Sequence, residues 1–157
     1  MPTGRALAQA GQSRNCAPST PSDRLRYSLA MQAVLLVFLG AGLGGVLRHL
    51  IALAALRTVG DAFPYGIMFI NVTGSFVMGI LVGWLAFRAG EGWTRQVQLF
   101  VATGVLGGYT TFSTFSLDCL RLIERGQLGA AAFYSLGSLV IGVGGLWGGL
   151  ALVRGLT

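Results

Sequence analysis

The chain has 157 residues, 54% of them hydrophobic and only 10% charged, against about a quarter charged in a soluble domain. Net charge is +6, but all eleven basic residues are arginines scattered singly, not the clustered basic face of a nucleic-acid binder. That balance excludes a soluble globular domain and leaves the bilayer as the natural solvent.

Residues 1–30 differ in kind from the rest. They hold Pro2, Pro18, Pro21, several Ser and Gln and four arginines with little periodic hydrophobicity, the composition of a disordered tail. A signal peptide is the competing reading, but the apolar stretch that follows is long and no later domain needs export. Met31 stands directly before the first apolar run and is the expected start, with 31–157 as the membrane domain. Cys16 and Cys119 lack metal-ligand spacing and pairing logic, so both read as structural or incidental.

The charges then partition the chain. Uncharged runs cover residues 27–47, 62–87, 96–117 and 126–153, each long enough for the ~20 residues that cross a ~30 Å hydrocarbon core. Four transmembrane helices are expected, at about 32–53, 63–87, 96–119 and 127–153, making an all-α membrane protein with short loops. Arg48 and His49 close the first span, where an arginine snorkels to the interface and a histidine is ordinarily an interfacial polar residue. In the second span Asn71, Ser75, Gly79 and Gly83 recur every four residues and share one stripe. An unsatisfied amide at that depth costs several kcal/mol, so Asn71 needs a helix partner, a water or an ion.

The third span is unusual. It reads GVLGGYTTFSTFS over residues 104–116, and glycine with β-branched threonine makes a poor helix interior. Two readings stay open on this pattern. Either the helix breaks and frees backbone carbonyls, which at membrane depth must be buried in protein or line a polar cavity, or the hydroxyls bond back to i−4 carbonyls of an intact helix. The fourth span adds Tyr134 and Ser138 at i, i+4 spacing, followed by Gly142. Small residues spaced by four, at Gly40/Gly44, Gly79/Gly83 and Gly144/Gly148, mark expected helix contacts.

Loop charge is nearly balanced. Arg88, Arg95 and Arg154 lie on one side, and Arg57, Arg121 and Arg125 with Arg48 on the other. Since an excess of Arg and Lys on the cytoplasmic side sets orientation, such a chain has little preference and two opposed copies can pair; small loops alone also account for sparse charge. No Asp or Glu lies inside the four uncharged runs, where a proton-coupled cation exporter carries a carboxylate. There is also no nucleophile–base pair, so an enzyme is not expected. What remains is a set of donors, Asn, Ser, Thr and Tyr, together with phenylalanine edges that bear the positive end of the ring quadrupole. That set favours a small anion.

Three segments carry a family resemblance: residues 44–48 (GGVLR), 71–76 (NVTGSF) and 104–115 (GVLGGYTTFSTF). Over most of residues 33–153 the sequence resembles the Fluc/CrcB family of fluoride channels. The resemblance implies four transmembrane helices with a break in the third, an antiparallel dual-topology homodimer in the inner membrane, and two separate fluoride pathways. It also implies a structural Na⁺ at the dimer centre, held by the carbonyls of Gly107 and Thr110 from both subunits. Phe112 and Phe115 match the family's pore-lining phenylalanines, Asn71, Ser113, Tyr134 and Ser138 its polar pore positions, and Arg48 its first-helix arginine. Gly142 and Ile67 depart from positions where serine and threonine occur, which thins the outer polar track. The expected activity is passive fluoride export that relieves toxicity. The alternatives are a small dual-topology multidrug or guanidinium exporter and a non-transporting membrane assembly subunit.

Overall fold

The computed structural model describes residues 20–88 and 91–156. In chain order the elements are α1 (Pro21–Val59), α2 (Tyr65–Phe87), and a short α3 (Thr94–Val97) that runs through a π-helical segment, Gln98–Leu106, into α4 (Gly107–Tyr109). Then follow α5 (Phe112–Glu124) and α6 (Leu128–Leu156). Every regular element among the described residues is helical. Three of them, α1, α2 and α6, are long and apolar enough to cross a membrane, and their outward faces carry large apolar side chains such as Phe38, Leu43, Phe69, Leu136 and Val143. Lipid, not water, is the solvent those faces suit.

The chain divides into two units, one ending at Gln32 and one beginning at Ala33. Within the first, the expectation of a disordered tail over 1–30 is corrected for residues 21–30, which are helical; residues 1–19 of that tail lie outside the described residues. The cause is a capping box. The Thr20 hydroxyl accepts from the Asp23 amide at 3.2 Å, and the Asp23 carboxylate accepts from the Thr20 amide at 3.2 Å. Pro21 takes the first helical position, where its missing N–H costs nothing.

Within the second unit, the stretch expected as one span over 96–119 is divided. It is helical from Thr94 to Tyr109 and again from Phe112, while Thr110 (φ −77°, ψ 155°) and Thr111 (φ −149°, ψ 121°) are extended. The described residues thus hold three continuous helices of spanning length, where four were expected. α5 ends on a Schellman turn: the Gln127 amide donates to Leu122 O and the Gly126 amide to Ile123 O, both at 2.9 Å, with Gly126 at φ 73°. Glycine is the residue that adopts this left-handed position without strain, and the turn starts α6 directly.

Glycine contacts bind the helices. Gly40 and Gly44 of α1 press on the backbone of residues 100–109, where an added Cβ would lie 2.9 Å from the Gly104 Cα and 2.8 Å from the Tyr109 amide. α2 packs closely along α6. Gly79 sits on the Leu146 carbonyl and Gly149 on the Phe76 carbonyl. This corrects the expected Gly144/Gly148 pair: a Cβ on either would meet nothing within 4 Å, and the residues facing α2 are Gly145 and Gly149. Close backbone approach substitutes for the hydrophobic drive that lipid does not provide.

Candidate functional site

The two extended residues at 110 and 111 organise the site. Asn71 of α2 meets Thr111 with both ends of its amide: Oδ1 accepts from the Thr111 N–H at 2.9 Å, and Nδ2 donates to the Thr111 carbonyl at 3.1 Å. The partner that Asn71 requires is therefore backbone. Thr111 in turn caps α5, its hydroxyl accepting from the Thr114 N–H at 3.3 Å. In an uninterrupted helix the Thr111 and Thr114 amides would close onto the carbonyls of Gly107 and Thr110, four residues back. Both amides are instead engaged by side-chain oxygens.

Two further contacts hold this region. The Tyr109 hydroxyl lies 2.9 Å from Thr73 Oγ1, and Thr73 donates its own proton to the Phe69 carbonyl at 2.7 Å. Tyr109 must then be the donor of the pair. Gly74 lacks the Cβ that would strike the Thr110 methyl. Asn71, Thr73 and Gly74 thus form one cradle on α2 for residues 109–111.

Beside it opens a cavity of about 310 Å³, lined by Asn71, Ser75, Thr110, Thr111, Phe112, Phe115, Ser138 and Leu139. Four of the residues expected in a pore are brought together here: Asn71, Phe112, Phe115 and Ser138. Tyr134 lies one turn before Ser138 on α6 and is fully buried. The hydroxyls of Tyr134 and Ser138 are both buried, and among the described residues neither has a hydrogen-bond partner. An orphaned buried hydroxyl costs about 1–3 kcal/mol, and here two stand one helical turn apart on α6.

Ring contacts carry the site in two directions. Phe115 lies 5.1 Å from Tyr134 and 5.8 Å from Phe112 between centroids, and Phe63 meets Tyr134 edge-on at 5.6 Å. Phe63 also lines a second cavity, about 340 Å³, at the α1–α2 turn, with Asp61, Asp118, Arg121 and Arg125 around it. The series Phe63, Tyr134, Phe115, Phe112 therefore joins the two cavities. Phe63 was missed by sequence reasoning, as were Thr73 and Tyr109. A phenylalanine next to a helix-starting Pro64 carries no signal beyond an interfacial aromatic.

The other expected site residues, Thr110 excepted, do not line this cavity. Ser113 is exposed, with its hydroxyl 3.3 Å from that of Thr111. Arg48 is half-buried on α1 and lines neither cavity, and His49 beside it is exposed. Gly107 is exposed and Thr110 half-buried. The thiol of Cys119 lies 3.2 Å from the Ser135 hydroxyl and serves packing between α5 and α6. Ile67 belongs to the apolar cluster with Ile70 and Tyr109. A Cβ on Gly142 would lie 3.7 Å from Ser75 Oγ.

Long apolar helices, with a cavity whose mainly apolar lining includes the side chains of Asn71, Ser75 and Ser138, define a multi-pass membrane protein. Residues 35–150 match the family model described as "CrcB-like protein, Camphor Resistance (CrcB)". The chain is similar to a protein of Rhodopseudomonas palustris (strain BisB5) named "Fluoride-specific ion channel FluC", 54% identical over 123 residues, which is 78% of this chain and 98% of that protein. A Nitrobacter hamburgensis protein, "Fluoride-specific ion channel FluC 2", is 56% identical over 125 residues, again 78% and 98%. One from Agrobacterium fabrum, also "Fluoride-specific ion channel FluC", is 46% identical over 123 residues, 78% of this chain and 97% of the relative. The chain belongs to the CrcB-like family.

Proposed function

We propose that this chain is a fluoride channel of the inner membrane that lets fluoride leave down its gradient and so relieves fluoride toxicity. The carrying observation is the pair of unpartnered, buried hydroxyls of Tyr134 and Ser138 beside the Phe112 and Phe115 rings. Fluoride is small and strongly hydrated, and a selective path must replace its water with donors without trapping it. Hydroxyl protons from α6 and the positive ring edges of α5 supply such replacements, and neither set contains a carboxylate to repel the anion.

The conducting unit in this reading is an antiparallel homodimer with four spans in each subunit, α3 to α5 forming the third. Together those pieces hold enough helix to cross a ~30 Å core, with the interruption near mid-depth. Support for a second copy comes from the face that holds the site. Phe112 is 79% exposed, and Ser113 and Gly107 are exposed as well. Polar backbone and a hydroxyl on an uncovered membrane surface are costly, and an identical subunit offers both cover and matching polarity.

The carbonyls of Gly107 and Thr110 fit a structural Na⁺. Their usual helical donors are engaged by Asn71 and Thr111, leaving hard oxygen acceptors of the kind such a cation takes. When bound, the ion would supply a fixed positive charge at the subunit junction. Two carbonyls from each subunit would hold it.

The test is efflux from liposomes carrying the purified protein, with fluoride and chloride compared. Fluoride efflux far faster than chloride efflux is the expected result; no efflux, or equal rates, overturns the reading. Phe112→Ile and Phe115→Ile should abolish fluoride flux with the dimer intact, whereas a non-transporting assembly subunit would keep its function in both.

A further inference from the structure

Asn71 does more than line the cavity. An asparagine amide has one acceptor oxygen and two N–H donors, and here the oxygen and one N–H are both spent on a single residue, Thr111, forty positions along the chain. The pattern imitates the paired bonds of a β-ladder and holds Thr111 extended, at φ −149°. In a continuous helix the acceptor for the Thr111 N–H would be the Gly107 carbonyl four residues back, and that bond would carry the helix on through residue 111. The Tyr109 hydroxyl donating to Thr73 is the second anchor, fixing the last residue before the extended pair. Tyr109 is itself buried against Ile67 and Ile70.

We propose that Asn71 is a positioning residue: by capturing the Thr111 backbone it keeps the Gly107 carbonyl free for a cation, with the Thr73–Tyr109 hydrogen bond as its auxiliary anchor. This rests on the cation reading given above and adds the residues that control it. The same side chain borders the 310 Å³ cavity, so cation site and anion path share one amide.

The experiment is a sodium titration of the detergent-solubilised dimer at constant ionic strength, read as the unfolding temperature against sodium concentration. Wild type, Asn71→Leu and Tyr109→Phe are compared. Asn71→Leu keeps the side-chain shape and removes both bonds to Thr111; it should raise the half-saturating sodium concentration roughly tenfold or more, the usual loss when an outer partner of a metal ligand is removed. Tyr109→Phe removes one hydroxyl and should raise it about threefold, the scale of one net hydrogen bond. If the leucine variant does not fold, the phenylalanine variant decides. A purely structural role lowers the unfolding temperature at every sodium concentration and leaves the half-saturation point alone; that result in a sodium-responsive protein overturns this inference and spares the cation reading. A wild type indifferent to sodium overturns both.

Discussion

The ring of Phe115 lies against that of Tyr134, 5.1 Å between centroids and tilted by 39°, and pins a tyrosine whose hydroxyl touches no acceptor or donor of the described chain. The hydroxyl thus makes no hydrogen bond among the described residues. Tyr134→Phe should separate folding from function. Removing an orphaned buried hydroxyl leaves thermal stability unchanged or raises it, by up to about 3 kcal/mol. Losing a donor to an anion costs about 1.5–3 kcal/mol, so fluoride efflux should fall roughly ten- to a hundredfold. Melting curves and liposome efflux on the same preparation check both halves, and a parallel fall in both would refute the assignment.

A second prediction concerns glycine register on α6. Gly149→Ala places a methyl on the Phe76 carbonyl of α2 and 2.9 Å from the Ile80 amide. Backbone cannot retreat from such a contact, and a loss of about 2 kcal/mol or more is expected. Gly148→Ala meets open space and should fall within about 0.5 kcal/mol of wild type, or gain slightly from helix propensity. Thermal unfolding in detergent distinguishes one position from the other, and equal effects would remove the basis for the α2–α6 packing described.

A third prediction concerns the N-terminal segment. The family match begins at residue 35, and the relatives are covered almost end to end by about four-fifths of this chain. A chain begun at Met31 should still reach the membrane, pair and pass fluoride, measured by crosslinking in membranes and by efflux. Arg24 and Arg26 add positive charge next to the first span, a factor that orients membrane proteins. Accessibility of an introduced loop cysteine from the two sides should accordingly be more evenly shared in the shorter chain.

Hydropathy made α2 and α6 legible, because nothing but uninterrupted apolar sequence is needed to specify them in a bilayer. The start of α1 is written in Thr20-Pro21-Ser22-Asp23, but the tail-like composition around it masks the cap. Glycine register on α6 is not legible, since periodicity in a glycine-rich helix fits Gly144/Gly148 and Gly145/Gly149 equally and does not say which stripe faces a partner. The site was half legible. Residue types and spacing indicated donors and ring edges, while the partners of Asn71 and Tyr109 belong to pairings 40 and 36 residues distant, which spacing along one helix does not reveal. The π-helical turn over Gln98–Leu106 had no sequence signal of its own; it lies where Gly40 and Gly44 bring α1 onto that backbone.

The interruption at Thr110 and Thr111 is held from outside its own segment. No proline stands between Thr94 and Glu124; the Thr111 backbone is instead engaged by the Asn71 amide of α2. At membrane depth the polar groups of such a break need protein around them, and here a neighbouring helix supplies part of that cover.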